Sequence, residues 1–137
     1  MNLKEFQELS TTRLKEAQAL LDLDLWDGAY YLAGYSVECA LKACIAKTAK
    51  RFEFPDKKRV DASHSHNLRE LIKIAGLENA RIEIESIDEG FRINWETVQS
   101  WSEQSRYRRH TPKSAQELVT GIGDKRHGVM RWIKLHW

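Results

Sequence analysis

Between Trp26 and Lys47 the chain places Trp26, Tyr30, Ala33, Val37, Ala40 and Cys44 three or four residues apart, over about six helical turns. Leu41 and Ile45 widen this stripe. Ala29, Gly34, Ser36 and Ala43 are small enough to let neighbouring helices come close. A helix with so much apolar surface must be covered on most sides, so the segment predicts a central, mostly buried helix. It does not predict a membrane span. Its longest uncharged run, Gly28 to Val37, falls far short of the roughly 20 residues required.

Other segments follow the same period. Leu3, Phe6, Leu14, Ala17, Leu20 and Leu21 mark a first helix, closed by a turn at Asp22, Asp24 and Asp27. From Lys50 to Ser65 the period is lost around Pro55 and a dense run of charge, which reads as an exposed connection. Asn67 to Ala75 predicts a short helix with Leu68, Leu71 and Ile72 inward and Gly76 as its stop. Arg81 to Glu85 alternates like a strand. Having no partner strand, it reads instead as the start of a helix continued by Ile84, Ile87, Phe91, Trp95, Val98 and Trp101, with Gly90 its weak point. Thr111-Pro112 is a capping residue followed by proline at the first helical position, with Ser114 and Glu117 as an alternative cap. The last helix takes its face from Ala115, Leu118, Val119, Ile122, Val129 and Ile133, interrupted by Gly121, Gly123 and Gly128. The expected fold is all-α, a single domain over residues 1–137 built as an up-and-down antiparallel bundle of about five helices.

Composition narrows the function classes. The 137 residues carry 22 Lys and Arg against 20 Asp and Glu, a net +2 that excludes a uniformly polybasic binder and an acidic disordered chain. The sum conceals an asymmetry. Residues 104–137 hold eight basic against two acidic groups, or +6, and residues 1–103 hold 14 against 18, or −4. Lys47, Lys50, Arg51, Lys57, Lys58 and Arg59 form a second basic segment, offset by Glu53 and Asp56. If the two segments share one end of the bundle, they form a phosphate-binding surface. Cys39 and Cys44 lie about 140° apart around one helix, so they read as core thiols rather than a disulfide or a chelating pair. With an N-terminus that lacks an apolar signal-like run, the expected location is cytoplasmic.

No glycine-rich phosphate loop, His-Glu-x-x-His, Cys-x-x-Cys or Gly-x-Ser-x-Gly occurs, and neither a metal nor a cofactor is expected. His64 and His66 flank Ser65 in what reads as a solvated loop before a helix cap. The run Arg106-Tyr107-Arg108-Arg109 combines guanidinium forks that match phosphate with a tyrosine able to stack on a base. Alternatively, its arginines pair with Asp88, Glu96 or Glu103. Lys42 and Lys113 are further phosphate-binding candidates. Glu38 lies one turn from Lys42 and can pair with it, or accept hydrogen bonds from Arg106 or Tyr107 and so tie that turn to the bundle. Five tryptophans (Trp26, Trp95, Trp101, Trp132 and Trp137) exceed what a small core needs and suggest a homodimer interface.

Arg13-Leu14-Lys15-Glu16-Ala17, and above all Ser36-Val37-Glu38-Cys39-Ala40-Leu41-Lys42-Ala43, resemble the opening helices of the HEPN (higher eukaryotes and prokaryotes nucleotide-binding) superfamily. His66-Asn67-Leu68-x-x-Leu71 is similar to the start of that family's third helix, and Trp101-x-x-x-x-Arg106-Tyr107 to the element before its last. The resemblance runs from about Arg13 to Arg131. It implies a helical bundle that binds nucleotide or nucleic-acid phosphate, with a nucleotidyltransferase-type or toxin–antitoxin partner. Many members are metal-independent ribonucleases with an Arg-x(4–6)-His motif, in which arginine holds the phosphate and histidine acts as acid and base. Here Arg131 and His136 meet that spacing, but Trp132 follows the arginine where a small polar residue is usual, and the pair stands on the terminal tail. Ribonuclease action by Arg131 and His136, with Arg126 and His127 assisting, is thus the alternative to non-catalytic phosphate binding. A pure protein-interaction module is the third reading.

Overall fold

The computed structural model describes residues 1–49 and 57–137, without the side chains of 57–59. The described residues form no strand; all regular structure is helical. The helices are α1 (Leu3–Asp22), α2 (Trp26–Ala49), α3 (Lys57–Ser63), α4 (Leu68–Ile74), α5 (Glu78–Ile87), α6 (Glu89–Gln99), α7 (Pro112–Gly123) and α8 (Val129–Lys134), with a 3₁₀ turn at Glu103–Tyr107 between α6 and α7. None is long and apolar enough to cross a membrane.

The central helix is where its sequence puts it. Ala33, Val37, Ala40 and Leu41 of α2 are fully buried, and α2 touches α1, α4, α7, α8 and the 3₁₀ turn. α1 starts with a capping box on Asn2 and runs back along α2 in antiparallel fashion. Between them Asp24 takes φ 62°, the left-handed conformation that reverses the chain within a few residues. Ser10 is completely buried, and its hydroxyl donates to the Ser36 carbonyl at 2.8 Å, joining the two helices. The core is completed by Leu68, Leu71 and Ile72 of α4, Phe91, Trp95 and Val98 of α6, Leu118 and Ile122 of α7, and Trp132 and Ile133 of α8. Cys39 and Cys44 are free and buried. Burial pushes their thiols up to about 11 and about 12.

The helices are shorter and more numerous than the expected five. Lys57–Ser63, expected as connection, is helical, because Lys, Arg and Ala favour helix intrinsically without an apolar period. The 81–101 segment breaks at Asp88 rather than weakening at Gly90. Asp88 is extended (φ −132°, ψ 95°), closes α5, and accepts the Phe91 N–H as N-cap of α6. Gly90 lies inside α6, and its missing Cβ makes room for the His127 ring. The last predicted helix likewise divides at Asp124–Gly128 into α7 and α8. The Thr111 cap and Pro112 start of α7 are present, with the Thr111 hydroxyl accepting the Ser114 N–H. Gly76 follows α4 with φ 74°.

Gly34 stands where a side chain has no room. A Cβ at Gly34 would stand 2.2 Å from the Trp101 ring, which is itself only 3% exposed. Gly34→Ala is therefore expected to destabilise the fold by about 1–3 kcal/mol, as overpacking of a rigid core does. Urea denaturation checks this against Gly123→Ala, which meets open space.

Candidate functional site

The segment Trp101–His110 leaves α6, makes the 3₁₀ turn and enters α7, and three clamps hold it to α2. At its start Trp101 fills the notch at Gly34 and stacks with Tyr31 at 6.1 Å between ring centroids. At its end His110 lies flat on Tyr30, with centroids 3.7 Å apart and planes 10° apart, and its backbone N–H donates to the Asp27 carboxylate. The His110 Nε2 is also 3.1 Å from the Ser105 carbonyl, closing the turn on itself.

The middle clamp is a chain of charges. Glu38 is 2% exposed, so its carboxylate needs partners inside the protein. Lys42 Nζ lies 3.2 Å from it, and His66 Nδ1 lies 3.0 Å from both its oxygens. His66 Nε2 then faces Glu103 at 3.4 Å, and Glu103 faces Arg106 at 3.5 Å. Sequence spacing correctly pairs Glu38 with Lys42. The expected direct bonds from Arg106 or Tyr107 to Glu38 are replaced by His66 and Lys42, and Arg106 reaches Glu38 only through Glu103 and His66. Of the acids considered for the arginines, Glu103 takes Arg106, whereas Asp88 holds His127 and Glu96 holds Arg92.

Between the clamps the side chains point outward. Arg106, Tyr107, Arg108 and Arg109 are all exposed, Tyr107 at 71%, and the Arg106 guanidinium lies over the Tyr107 ring at 4.7 Å. Arg108 and Arg109 form no ion pair among the described residues. The Trp101 indole N–H and the Ser105 hydroxyl are buried without hydrogen-bond partners among the described residues, a polar cost within the clamped segment. Lys113 is exposed on the first turn of α7, 3.8 Å from Glu117. Lys42 is set apart from this run, its ammonium committed to Glu38 and its side chain 15% exposed. Of the second basic segment, residues 50–56 and the side chains of Lys57, Lys58 and Arg59 lie outside the described residues. The remaining member, Lys47, donates to the Trp137 carbonyl.

Arg131 and His136 have separate surroundings. Arg131 is exposed and donates to the Arg126 carbonyl at 3.3 Å. His136 packs edge-on against Trp132, with centroids 5.2 Å apart, and burial followed by the nearby Lys47 charge lowers its pKa. No hydrogen bond joins the two among the described residues. Arg126 is exposed, and His127 is tied down on three sides. Its Nδ1 is 2.8 Å from Asp88, its N–H donates to Asp124 and its carbonyl accepts from Asn94. Three of the five tryptophans (Trp95, Trp101 and Trp132) are consumed by the core, and Trp26 and Trp137 remain half-buried.

The chain matches no family model, no curated protein and no solved structure.

The Asp88–His127 contact sets a pH dependence. The His127 hydrogen bond, followed by the Phe91 N–H, lowers the Asp88 pKa. A carboxylate depressed in the folded state stabilises above its unfolded value, near 4, and loses that contribution as pH falls through the folded value. The melting temperature is expected to drop more between pH 7 and pH 3 for the wild type than for Asp88→Asn, as differential scanning fluorimetry would show.

Proposed function

We propose that this chain is a HEPN-like helical module that binds the phosphate of a nucleotide or nucleic acid at the turn Arg106–Arg109, without catalysing its cleavage. The observation that carries the reading is the clamped segment itself. Exposed loops with three arginines are ordinarily mobile, whereas this one is anchored at Trp101, Glu103 and His110 and presents its cations and one aromatic ring between fixed points. Preorganised guanidinium groups lose little entropy on binding a phosphate, and an exposed tyrosine offers a base a stacking face. The +6 balance of residues 104–137 favours an anion at this end of the sequence.

The resemblance of Ser36–Ala43 to the family's second helix supports the same bundle and extends the proposal to assembly. We place the chain in a homodimer that works with a nucleotidyltransferase-type or toxin–antitoxin partner. Ile82, Ile87 and Ile93 support such contacts, being 53%, 78% and 51% exposed on α5 and α6.

Fluorescence anisotropy with a 12-nucleotide single-stranded RNA, and thermal shift with ATP and GTP at low salt, test the reading. Arg108→Ala with Arg109→Ala is expected to weaken RNA binding about tenfold and to flatten its salt dependence by about two phosphates, with the melting temperature unchanged. Absence of binding to all three ligands overturns the proposal. Cleavage of the RNA in EDTA, lost in Arg131→Ala, would establish the ribonuclease reading in its place.

A further inference from the structure

Between α1, α7 and α8 lies a cleft of about 300 Å³, a volume at the lower end of small-molecule sites. Its apolar lining comes from Leu14 of α1, Val119 of α7 and Met130 of α8, the last two being buried members of the core. The Met130 sulfur lies 3.6 Å from the buried Ser10 hydroxyl, which seats the thioether against α1. Lys15 and Lys134 stand on different walls, one on α1 and one on α8, and both are exposed. Neither forms an ion pair among the described residues, and the Lys134 ammonium has only the Trp137 ring at 5.6 Å. No acidic residue among those described lines the cleft. Gly123 of α7 completes it. Nothing lies within 4 Å of where its Cβ would be, and its backbone avoids the left-handed region that Gly76 occupies. Neither crowding nor conformation therefore calls for glycine here, and glycine in a helix is destabilising relative to most other residues. The side chain that Gly123 lacks is space in the cleft.

We propose that this cleft binds a small organic anion with an apolar body, a medium-chain or bicyclic carboxylate. Its head lies between the Lys15 and Lys134 ammonium groups, and its body covers Leu14, Val119 and Met130. Two ammonium groups without counter-ions favour an anion, and a cation would meet two like charges. A bare phosphate finds that charge but leaves the apolar lining in water, whereas an apolar body removes it. The methylene stems of the two lysines lengthen the apolar walls and keep the charges at the rim. The turn Arg106–Arg109 contributes no residue to the cleft, so the inference does not depend on the phosphate-binding reading.

Octanoate is the probe, with octanol and octylamine as its neutral and cationic counterparts. Binding is read by NMR from protein with isotopically methyl-labelled methionine, in which Met130 and Met1 are the two signals. Octanoate is expected to shift the Met130 methyl resonance and to bind roughly tenfold tighter than octanol, each exposed charge contributing about threefold, with octylamine weakest. Lys15→Gln with Lys134→Gln should remove that preference for the anion. Gly123→Phe fills the open end of the cleft and should abolish binding of octanoate and octanol without lowering the melting temperature. Arg108→Ala with Arg109→Ala should leave octanoate binding unchanged, which separates this site from the phosphate site. Equal affinity for the three probes in the wild type is apolar adsorption alone and overturns the proposal. So does a Met130 resonance that octanoate does not move, or octanoate binding that survives Gly123→Phe in the folded protein.

Discussion

A carboxylate buried in the central helix organises the functional side of this protein. Glu38 is 2% exposed in a helix whose neighbouring turns carry Ala33, Val37, Ala40 and Leu41. Removing a charge from water costs several kcal/mol unless it is paired and hydrogen-bonded. Lys42 alone offers one ammonium on one side. The remaining demand falls on His66, which must come back to α2 from 28 residues further along the chain. Seating His66 fixes the start of α4, where Asn67 caps the helix and Ser65 binds Glu70. It also presents a second ring nitrogen to Glu103. The packing of α4 and the placing of the 3₁₀ turn thus both depend on satisfying one acid.

The aromatic residues of α2 complete the arrangement. Tyr30, Tyr31 and Tyr35 follow one another along the helix, and Tyr31 stacks on Tyr35 and on Trp101 as Tyr30 stacks on His110. Burial, followed by the Cys39 and Glu38 charges, holds the Tyr35 phenol at about 12. A row of flat rings on one helix lets an otherwise irregular, cation-rich segment keep a defined path.

Much of the fold was legible because helical period survives without tertiary information. The stripe from Trp26 to Cys44, the Thr111-Pro112 start and the Gly76 stop all express local constraints, and all three appear in the structure. The breaks were harder to read. Asp88 ends one helix and begins another because its carboxylate caps Phe91 and meets His127, a contact across 39 residues that no local window contains. The cationic run was visible as composition, and its partner Glu103 lies only three residues from Arg106. In the sequence His66 reads as part of a solvated loop, because its two partners come from α2 and the 3₁₀ turn and only the folded chain brings them together. The motif His66-Asn67-Leu68 was the available signal: a histidine directly before a helix cap is placed to reach a neighbouring helix.

α7 has a further consequence. Its 12 residues rise about 18 Å between the turn that carries Arg106–Arg109 and the corner that carries Arg126, His127 and Arg131. The basic third of the sequence is therefore two poles rather than one field. At physiological salt charges interact over about 8 Å, so the poles are electrostatically independent. Each has its own acids, Glu103 against Arg106 at one end and Asp88 with Asp124 against His127 at the other. A change of charge at one pole, such as the loss of an arginine, therefore leaves the potential at the other nearly unchanged.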